Sequence, residues 1–470
     1  MEKILQTIKR FIPKRLFKFV EPLYHFLLGV TANIIYRWPS DKLIVIGVTG
    51  TTGKTTTVYM IAKMLQGAGF KVGYTSTAMF GDGKNEWLNN KKMTMVGRSF
   101  THKMLRTMIK NGCQFAVIET SSEGIVQYRH RFINYDIALI TGLYPEHIEA
   151  HGSFENYKEA KGMLFAHLKD CKTKYIDENY IVCKPKTGLQ KTNYRRVKKT
   201  IIANGNDEHA SYFLDFWAEQ KYAYRFAEES TSAIFDSSVH EIIAETETQQ
   251  EKTFLRIDGL DISVNLLGAF NRRNLLAALS AGTGSGLTTE KMKAGLESIT
   301  GVPGRLERID AGQNFTVIVD YAFEPKAVEK LYETVDALPH KRIIHILGSA
   351  GGGRDKARRP ILGALAGKHA DIAIVTDEDP YDEDPLRIMT EVAIGAENAG
   401  KKSELNLFTV PDRREAIRKA FSLAKEGDIV LITGKGSEQA ICRAHGKKEG
   451  WDDRSVAREE LDALKVPVDN

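Results

Sequence analysis

A short apolar run, Leu43-Ile-Val-Ile-Gly-Val-Thr49, leads directly into Gly50-Thr-Thr-Gly-Lys-Thr55, and no other segment constrains the fold as tightly. Uninterrupted apolar residues, without alternation, read as a strand buried on both faces. The pattern after the loop predicts a helix over 54–66, stopped by Gly67 and Gly69. Between the two, glycines let backbone N–H groups turn inward at a helix N-terminus, whose dipole favours an anion. Strand, Gly-rich loop and helix in that order make a phosphate-binding loop. Lys54 is placed to reach terminal phosphates and the Thr55 hydroxyl to ligate Mg²⁺. The strict GxxxxGK[ST] spacing misses by one residue, because Val48 occupies the first glycine position. A GTPase would carry an NKxD motif; Asn90-Lys-Lys-Met93 lacks its Asp, so ATP is the expected nucleotide.

The rest of the chain alternates apolar strands with helical stretches, which implies mostly parallel sheets covered on both faces. Strands are expected at 115–118, 137–141, 180–183, 254–257, 316–320, 342–347, 371–375, 405–409 and 428–433. Residues 171–260 are too polar and irregular for a detailed assignment. Gly301-Val-Pro-Gly304 is the natural linker. The expected architecture is α/β: a P-loop ATPase domain over 41–300 and a Rossmann-like α/β domain over 301–470. With 66 Lys and Arg against 60 Asp and Glu, the net charge of +6 is too small to argue for nucleic acid. The 4 cysteines are far apart and form no CxxC pair, which fits a reducing cytosol better than a disulfide framework.

Residues 1–40 differ from the average. Lys3, Lys9, Arg10, Lys14, Arg15, Lys18 and Arg37 recur through an apolar stretch that Pro13 and Pro22 interrupt. Charges inside the apolar run argue against a cleavable signal and against a spanning helix. Two readings stand side by side: a basic amphipathic segment on the inner membrane face through residues 1–37, or helices packed on the protein's own body.

A second constellation lies downstream. Glu119 ends the strand 115–118 and is followed by Thr120-Ser121-Ser122. Ligand groups collect at the carboxyl ends of parallel strands, so Glu119 falls where a Thr55-bound Mg²⁺ would need a hard oxygen donor. His147 follows the next strand, and Lys161 sits in a predicted helix.

Taken together, these motifs resemble those of the Mur ligase family, ATP-dependent amide ligases of peptidoglycan precursor synthesis. Gly47–Thr57 is similar to its GxTGTxGKTTT, Ile118–Ser122 to EVSS, and Pro145–Lys161 to DHLDYHG…YxxAK. Phe270–Asn274 is similar to FNxxN, Gly304–Arg308 to GRMER, and Asp320–Pro325 to DYAHTP. Gly351–Pro360 is similar to GGDRDKxKRP, and Gly434–Glu438 to GKGHE. Within the family the likeness is nearest to the tripeptide synthetases (MurE type), which add the third residue to UDP-N-acetylmuramoyl-dipeptide.

The resemblance implies roles that the residues alone only permit. Gly50, Thr51, Gly53, Lys54, Thr55, Thr56, Asn271, Asn274, Arg305 and Asp320 match the ATP site. Thr55, Glu119, His147 and a carbamylated Lys161 match ligands of two Mg²⁺ ions, with Lys54, Lys161, His147 and Glu119 as the catalytic set. Ser121, Ser122, Arg354, Asp379, Tyr381, Gly434 and Glu438 match the substrate side. The implied reaction passes the γ-phosphoryl of ATP to a carboxylate, and the acyl-phosphate is then attacked by an amino acid's amine. The implied partners are a UDP-muramoyl-peptide and a free amino acid, met by a cytoplasmic monomer without nucleic acid.

This sequence departs from the family pattern in places. Tripeptide synthetases carry a substantial N-terminal UDP-sugar domain, whereas residues 1–40 precede the P-loop strand here, so the sugar is expected to be held differently. Glu146, Phe323 and Ser437 replace an Asp and two His of the family motifs. Diaminopimelate enzymes carry DNPR; Glu378-Asp-Pro-Tyr381 matches it without the Arg. Glu378, Asp379, Asp382, Glu383 and Asp384 read either as favouring a cationic incoming side chain such as lysine or as a solvated acidic loop that caps the following helix. The alternatives are a related ligase on another acceptor, of the folylpolyglutamate or pseudomurein type, and a non-catalytic P-loop module.

Overall fold

The computed structural model describes residues 14–146, 151–183, 194–229, 235–247, 252–353 and 355–465. His147 and Arg354, both expected at the site, lie outside the described residues. Strands are numbered in chain order. β1 (Ile44–Thr49), β2 (Val72–Thr75), β3 (Met79–Asp82), β4 (Glu86–Leu88), β5 (Phe115–Glu119) and β6 (Ile137–Ile140) open the chain. β7 (Lys174–Ile176), β8 (Val182–Cys183) and β9 (Arg195–Val197) form a small antiparallel sheet. β10 (Thr200–Asn204), β11 (Gln220–Phe226) and β12 (Val239–Ala244) return to the first sheet.

That sheet runs β12-β11-β10-β6-β1-β5-β2-β3-β4, parallel except for the β2–β3–β4 edge. β1 lies at its centre, between β5 and β6, and is buried along its whole length. Its residues alternate between two cores. Ile44, Ile46 and Val48 face one, with Val58, Ile61 and Leu65 of the helix Lys54–Gly67 and with helix Phe270–Gly284. Leu43 and Val45 face the other, with helices Arg98–Lys110 and Phe154–His167. Gly67 and Gly295 let the helices Lys54–Gly67 and Thr289–Glu297 touch backbone to backbone; a Cβ on either would collide with the other helix.

A hairpin, β13 (Thr253–Ile257) and β14 (Leu260–Val264), precedes the linker region. The second sheet is built from β15 (Glu307–Ile309), β16 (Thr316–Val319), β17 (Ile343–Leu347), β18 (Ile372–Val375), β19 (Leu407–Thr409) and β20 (Ile429–Ile432). Its order is β15-β16-β20-β17-β18-β19, with only β15 antiparallel. Cores on both faces cover it. A last hairpin, β21 (Ala440–Cys442) and β22 (Lys448–Gly450), follows.

Two expectations need correction. The polar stretch 171–260 contributes three full strands to the first sheet, where sequence patterning assigned no detailed structure. β10 is wholly buried, but β11 and β12 are only partly so, and partly covered strands carry a weak apolar signature. At the N-terminus, the helix Lys14–Tyr36 runs through Pro22 instead of breaking there. A proline inside a helix removes one backbone bond, and packing further along supports the remainder. Phe26 meets Phe132 edge-on, with ring centroids 5.2 Å apart, Gly29 presses against the same ring, and Ala32 is buried. The packed-helix reading therefore holds for this half of the helix. Leu27, Ile34 and Ile35 remain exposed on it, as does Trp38 just after its end. Among the described residues no helix is long and apolar enough to cross a membrane.

β6 is held in register by a buried carboxylate. Asp136 accepts from Val45 N at 2.9 Å and pairs with Lys174 at 2.5 Å and Lys199 at 2.8 Å. All three side chains are almost fully buried. Removing one partner of a buried ion pair leaves uncompensated charge. Asp136→Ala is therefore expected to lower stability by about 3–5 kcal/mol, read as a fall in the urea midpoint.

Candidate active site

The loop after β1 turns on two glycines with positive φ, Gly50 (142°) and Gly53 (80°). A Cβ on Gly50 would collide with Thr141, and one on Gly53 with the Asn274 amide. Only glycine fits at either place. Gly53 caps the helix Lys54–Gly67, so the first N–H groups of that helix face the loop. Thr141 Oγ1 donates to Thr52 O at 2.6 Å, and Thr51 N donates to Gly142 O at 2.9 Å, tying the loop to the end of β6. Lys54 Nζ donates to Thr51 O at 2.7 Å, its amine held below its ordinary pKa by burial first, against the pull of Glu119.

Thr55 and Glu119 converge as expected. Thr55 Oγ1 donates to both carboxylate oxygens, at 3.0 and 3.1 Å. Thr77, which the sequence reading missed, fixes the same carboxylate through its N (2.6 Å) and Oγ1 (2.9 Å). No motif marked it; it is brought there by the β2–β3 turn. Arg305 Nη2 donates to Thr55 Oγ1 at 3.3 Å, and its guanidinium lies 4.3 Å over the Tyr321 ring. The Thr55 hydroxyl and Glu119 carboxylate are hard oxygen donors of the kind Mg²⁺ takes, so these residues fit that ion.

Lys161 is 1 % exposed and donates to Gly50 O at 2.8 Å, with its ammonium 4.4 Å from the Tyr157 ring. Burial, then Lys54, pushes its amine well below the ordinary lysine value. Tyr157 donates from its hydroxyl to Thr51 Oγ1 at 3.2 Å. Glu146 lies nearby; burial first, and then a hydrogen bond shared with Glu324, raises its carboxyl to about 8. Ser121 caps the short helix Ser122–Val126, and Ser122 Oγ sits 3.1 Å from His151 Nε2.

Asn271 and Asn274 bind each other at 2.8 Å on the helix Phe270–Gly284, with Asn274 against the P-loop helix through Thr57. Asp320 directly follows β16 and accepts from Leu306 N (2.7 Å) and Ala322 N (2.6 Å), its carboxyl raised by burial.

The acidic run is the largest surprise of the site. Asp379 is clamped by Lys92 (2.7 Å) and Lys435 (3.0 Å); burial alone would raise its carboxyl, yet the two ammonium groups hold it below its ordinary value. Glu438 pairs with Lys435 at 2.6 Å and Lys92 at 3.0 Å. Asp377 pairs with Arg443. Glu383 pairs with Arg359 at 3.0 Å and Lys356 at 3.2 Å, and Arg359 foremost lowers it to about 2. Asp382 accepts from His445 N, and Asp384 caps the helix Pro385–Asn398. Glu378 is buried behind Gly434, its carboxyl raised by burial first and by Asp379 second. The expectation of an open acidic patch for a cation therefore loses most of its basis: internal cations and backbone N–H groups already occupy Asp379, Asp382, Glu383 and Asp384, while Glu378 is buried with Oε2 unpartnered. Charge counting could not show this, because Lys92 lies far away in sequence.

The P-loop and its neighbours open onto a cavity of ≈ 970 Å³. Gly50–Thr56, Glu119, Lys161, Asn271, Asn274, Arg305 and Asp320 line it together with Lys92, Tyr381 and Glu438.

A P-loop sheet and a second, mostly parallel α/β sheet bordering one cavity define a nucleotide-binding α/β protein of the P-loop type, and relatives place it more closely. Residues 48–282 match the Mur ligase middle domain and residues 304–436 the Mur ligase glutamate ligase domain. The chain is 35% identical to the UDP-N-acetylmuramyl-tripeptide synthetase of Roseiflexus sp. (strain RS-1), over 93% of this chain and 82% of that one. It is 34% identical to the UDP-N-acetylmuramoyl-L-alanyl-D-glutamate–2,6-diaminopimelate ligase of Geobacillus thermodenitrificans (strain NG80-2), over 92% and 81% of the two chains. A solved structure of a UDP-N-acetylmuramoyl-L-alanyl-D-glutamate–2,6-diaminopimelate ligase superposes with a TM-score of 0.56 at 26% identity, covering 90% of this chain and 79% of that one. The protein belongs to the Mur ligase family. Its homologues are ATP-dependent ligases that form peptide bonds in peptidoglycan synthesis.

Lys54→Ala is expected to leave the fold intact and to lower ATP turnover by about 10²–10³ through loss of a phosphate-stabilising charge. Steady-state phosphate release by the folded variant is the measurement.

Proposed function

We propose that the protein joins a free amino acid to the peptide carboxylate of a UDP-N-acetylmuramoyl-peptide, at the expense of ATP. The single cavity carries this reading. The phosphate-binding loop, Tyr381 and Glu438 line the same space, so a carboxylate, a phosphoryl donor and an amine can meet there. Holding reactants together converts encounter into positioning, which supplies much of the rate in such reactions.

The γ-phosphoryl of ATP passes to the substrate carboxylate and ADP leaves. The amine of the incoming amino acid then attacks the acyl carbon, loses a proton, and phosphate departs. The Gly50–Gly53 backbone and the N-terminus of helix Lys54–Gly67 cradle the phosphates, and Lys54 balances their charge. Thr55 and Glu119 would hold Mg²⁺, which would supply charge neutralisation there. Thr77 keeps the Glu119 carboxylate aimed at that position. Asn271, Asn274, Arg305 and Asp320 contact the nucleotide.

Lys161 is read as carbamylated. Burial beside Lys54 disfavours the protonated form of this amine, and a neutral amine adds to CO₂ with loss of one proton, which would give a carboxylate-like oxygen ligand suited to a second Mg²⁺. His147 is read as the partner ligand. The exposed Leu27, Ile34, Ile35 and Trp38, and the basic composition of the sequence 1–37, support peripheral contact with the anionic cytoplasmic face of the inner membrane.

Phosphate release from ATP should require both UDP-muramoyl-dipeptide and an amino acid; release indifferent to both sinks the proposal. Lys161→Ala should lose most activity and regain part of it with formate or acetate, and a folded variant with full activity refutes the carbamate. Ile34→Glu combined with Ile35→Glu should abolish co-sedimentation with anionic vesicles. Binding should also weaken with salt, each basic residue near such a surface contributing about 1 kcal/mol.

A further inference from the structure

Lys92 reaches from the first sheet's side of the molecule into the second. Its residue lies on the loop after β4, and its side chain is 7 % exposed. Nζ donates to Asp379 (2.7 and 2.9 Å) and to Ala440 O (2.9 Å), and it lies 3.0 Å from Glu438. Three oxygen groups around one nitrogen form a recognition site for a primary ammonium ion. Lys435, wholly buried, already bridges the same two carboxylates from behind. The set of Asp379, Glu438, Lys92 and Lys435 is thus neutral as it stands.

The loop is built to deliver this side chain. Lys92 has φ 52°, a left-handed conformation that costs a residue with a Cβ free energy and persists only where its surroundings hold it. Asn89 does so, donating from Nδ2 to Met93 O at 3.0 Å and to Ser76 O at 2.8 Å. Lys92, Tyr381 and Glu438 all border the central cavity, so the ammonium lies at the wall of the space the reactants occupy.

We propose that Lys92 is a specificity-determining residue: its ammonium fills the place in the amino-acid pocket that the cationic end of an incoming side chain would take, and so disfavours amino acids such as lysine. This rests on the reading of the Tyr381–Glu438 wall as the amino-acid side of the cavity. An incoming ammonium must displace Lys92 from two carboxylates, whereas an uncharged side chain of equal length need not. Specificity here comes from an internal competitor, not from a repulsive charge.

Lysine and norleucine differ only by the terminal ammonium, and their kcat/KM ratio cancels any difference in active enzyme. In Lys92→Ala the lysine-to-norleucine ratio should rise roughly 10- to 100-fold over wild type, the range of a charge-assisted hydrogen bond. Lys92→Arg should stay close to wild type. An unchanged ratio, or a wild type that already favours lysine and loses that preference in Lys92→Ala, overturns the proposal. A second readout needs no turnover. Ethylammonium should raise the melting temperature of Lys92→Ala while ethanol does not, and should leave wild type unaffected at matched ionic strength. If Lys92→Ala does not fold, Lys92→Met carries the same comparisons. Equal responses of variant and wild type to ethylammonium also overturn the proposal. Failure of every amino acid to support turnover would instead count against the ligase reading, with the ammonium titration still deciding the role of Lys92.

Discussion

Close packing around the Gly50–Gly53 turn is the constraint on which the rest of the site depends. Three separate elements press on these few residues: the end of β6 through Thr141, the helix Phe270–Gly284 through Asn274, and the helix Phe154–His167 through Lys161. No side chain fits at Gly50 or Gly53, so the backbone itself forms the wall that faces a phosphate. A loop held this way does not have to reorganise when charge develops beside it, which is where an electrostatic site gains most over water.

The same crowding sets the chemistry of the neighbours. Lys161 is buried because the P-loop carbonyl of Gly50 takes its hydrogen bond, and burial next to Lys54 is what favours its neutral form. Glu119 is aimed by Thr77 and Thr55 together, so one carboxylate at the end of β5 is oriented by both neighbouring segments. Each side chain draws its reactivity from its position in the packing more than from its residue type.

At the seam between the sheets, polar contacts join the two sides, and the Lys92 cluster among them is ionic. Arg305 meets Thr55, Glu146 shares a hydrogen bond with Glu324, and Lys92 meets Asp379 and Glu438. Buried ion pairs add little net stability, because desolvation offsets most of the attraction, but they penalise any arrangement that separates the partners. A seam of this kind specifies one relative placement of the phosphate side and the amine side of the cavity.

Much of this was written locally. The run 43–55 determined a buried strand, a glycine turn and a helix, because each rests on residues adjacent in the chain. The alternation after Thr316 marked β16, β17, β18 and β20 for the same reason. The pairing of Thr55 with Glu119 followed from the rule that ligand groups gather at strand carboxyl ends. Tertiary structure alone decided the rest. β10, β11 and β12 belong to the first sheet only because β6 offers them an edge. Thr77 becomes part of the site only because β2 pairs with β5. The acids from Glu378 to Asp384 read as an open negative patch until the fold brings Lys92, Lys435, Lys356 and Arg359 onto them. Sequence records which charges exist; their partners are set by distances that arise only once both sheets have packed, since the pull of an ion pair depends on separation and burial and not on position along the chain.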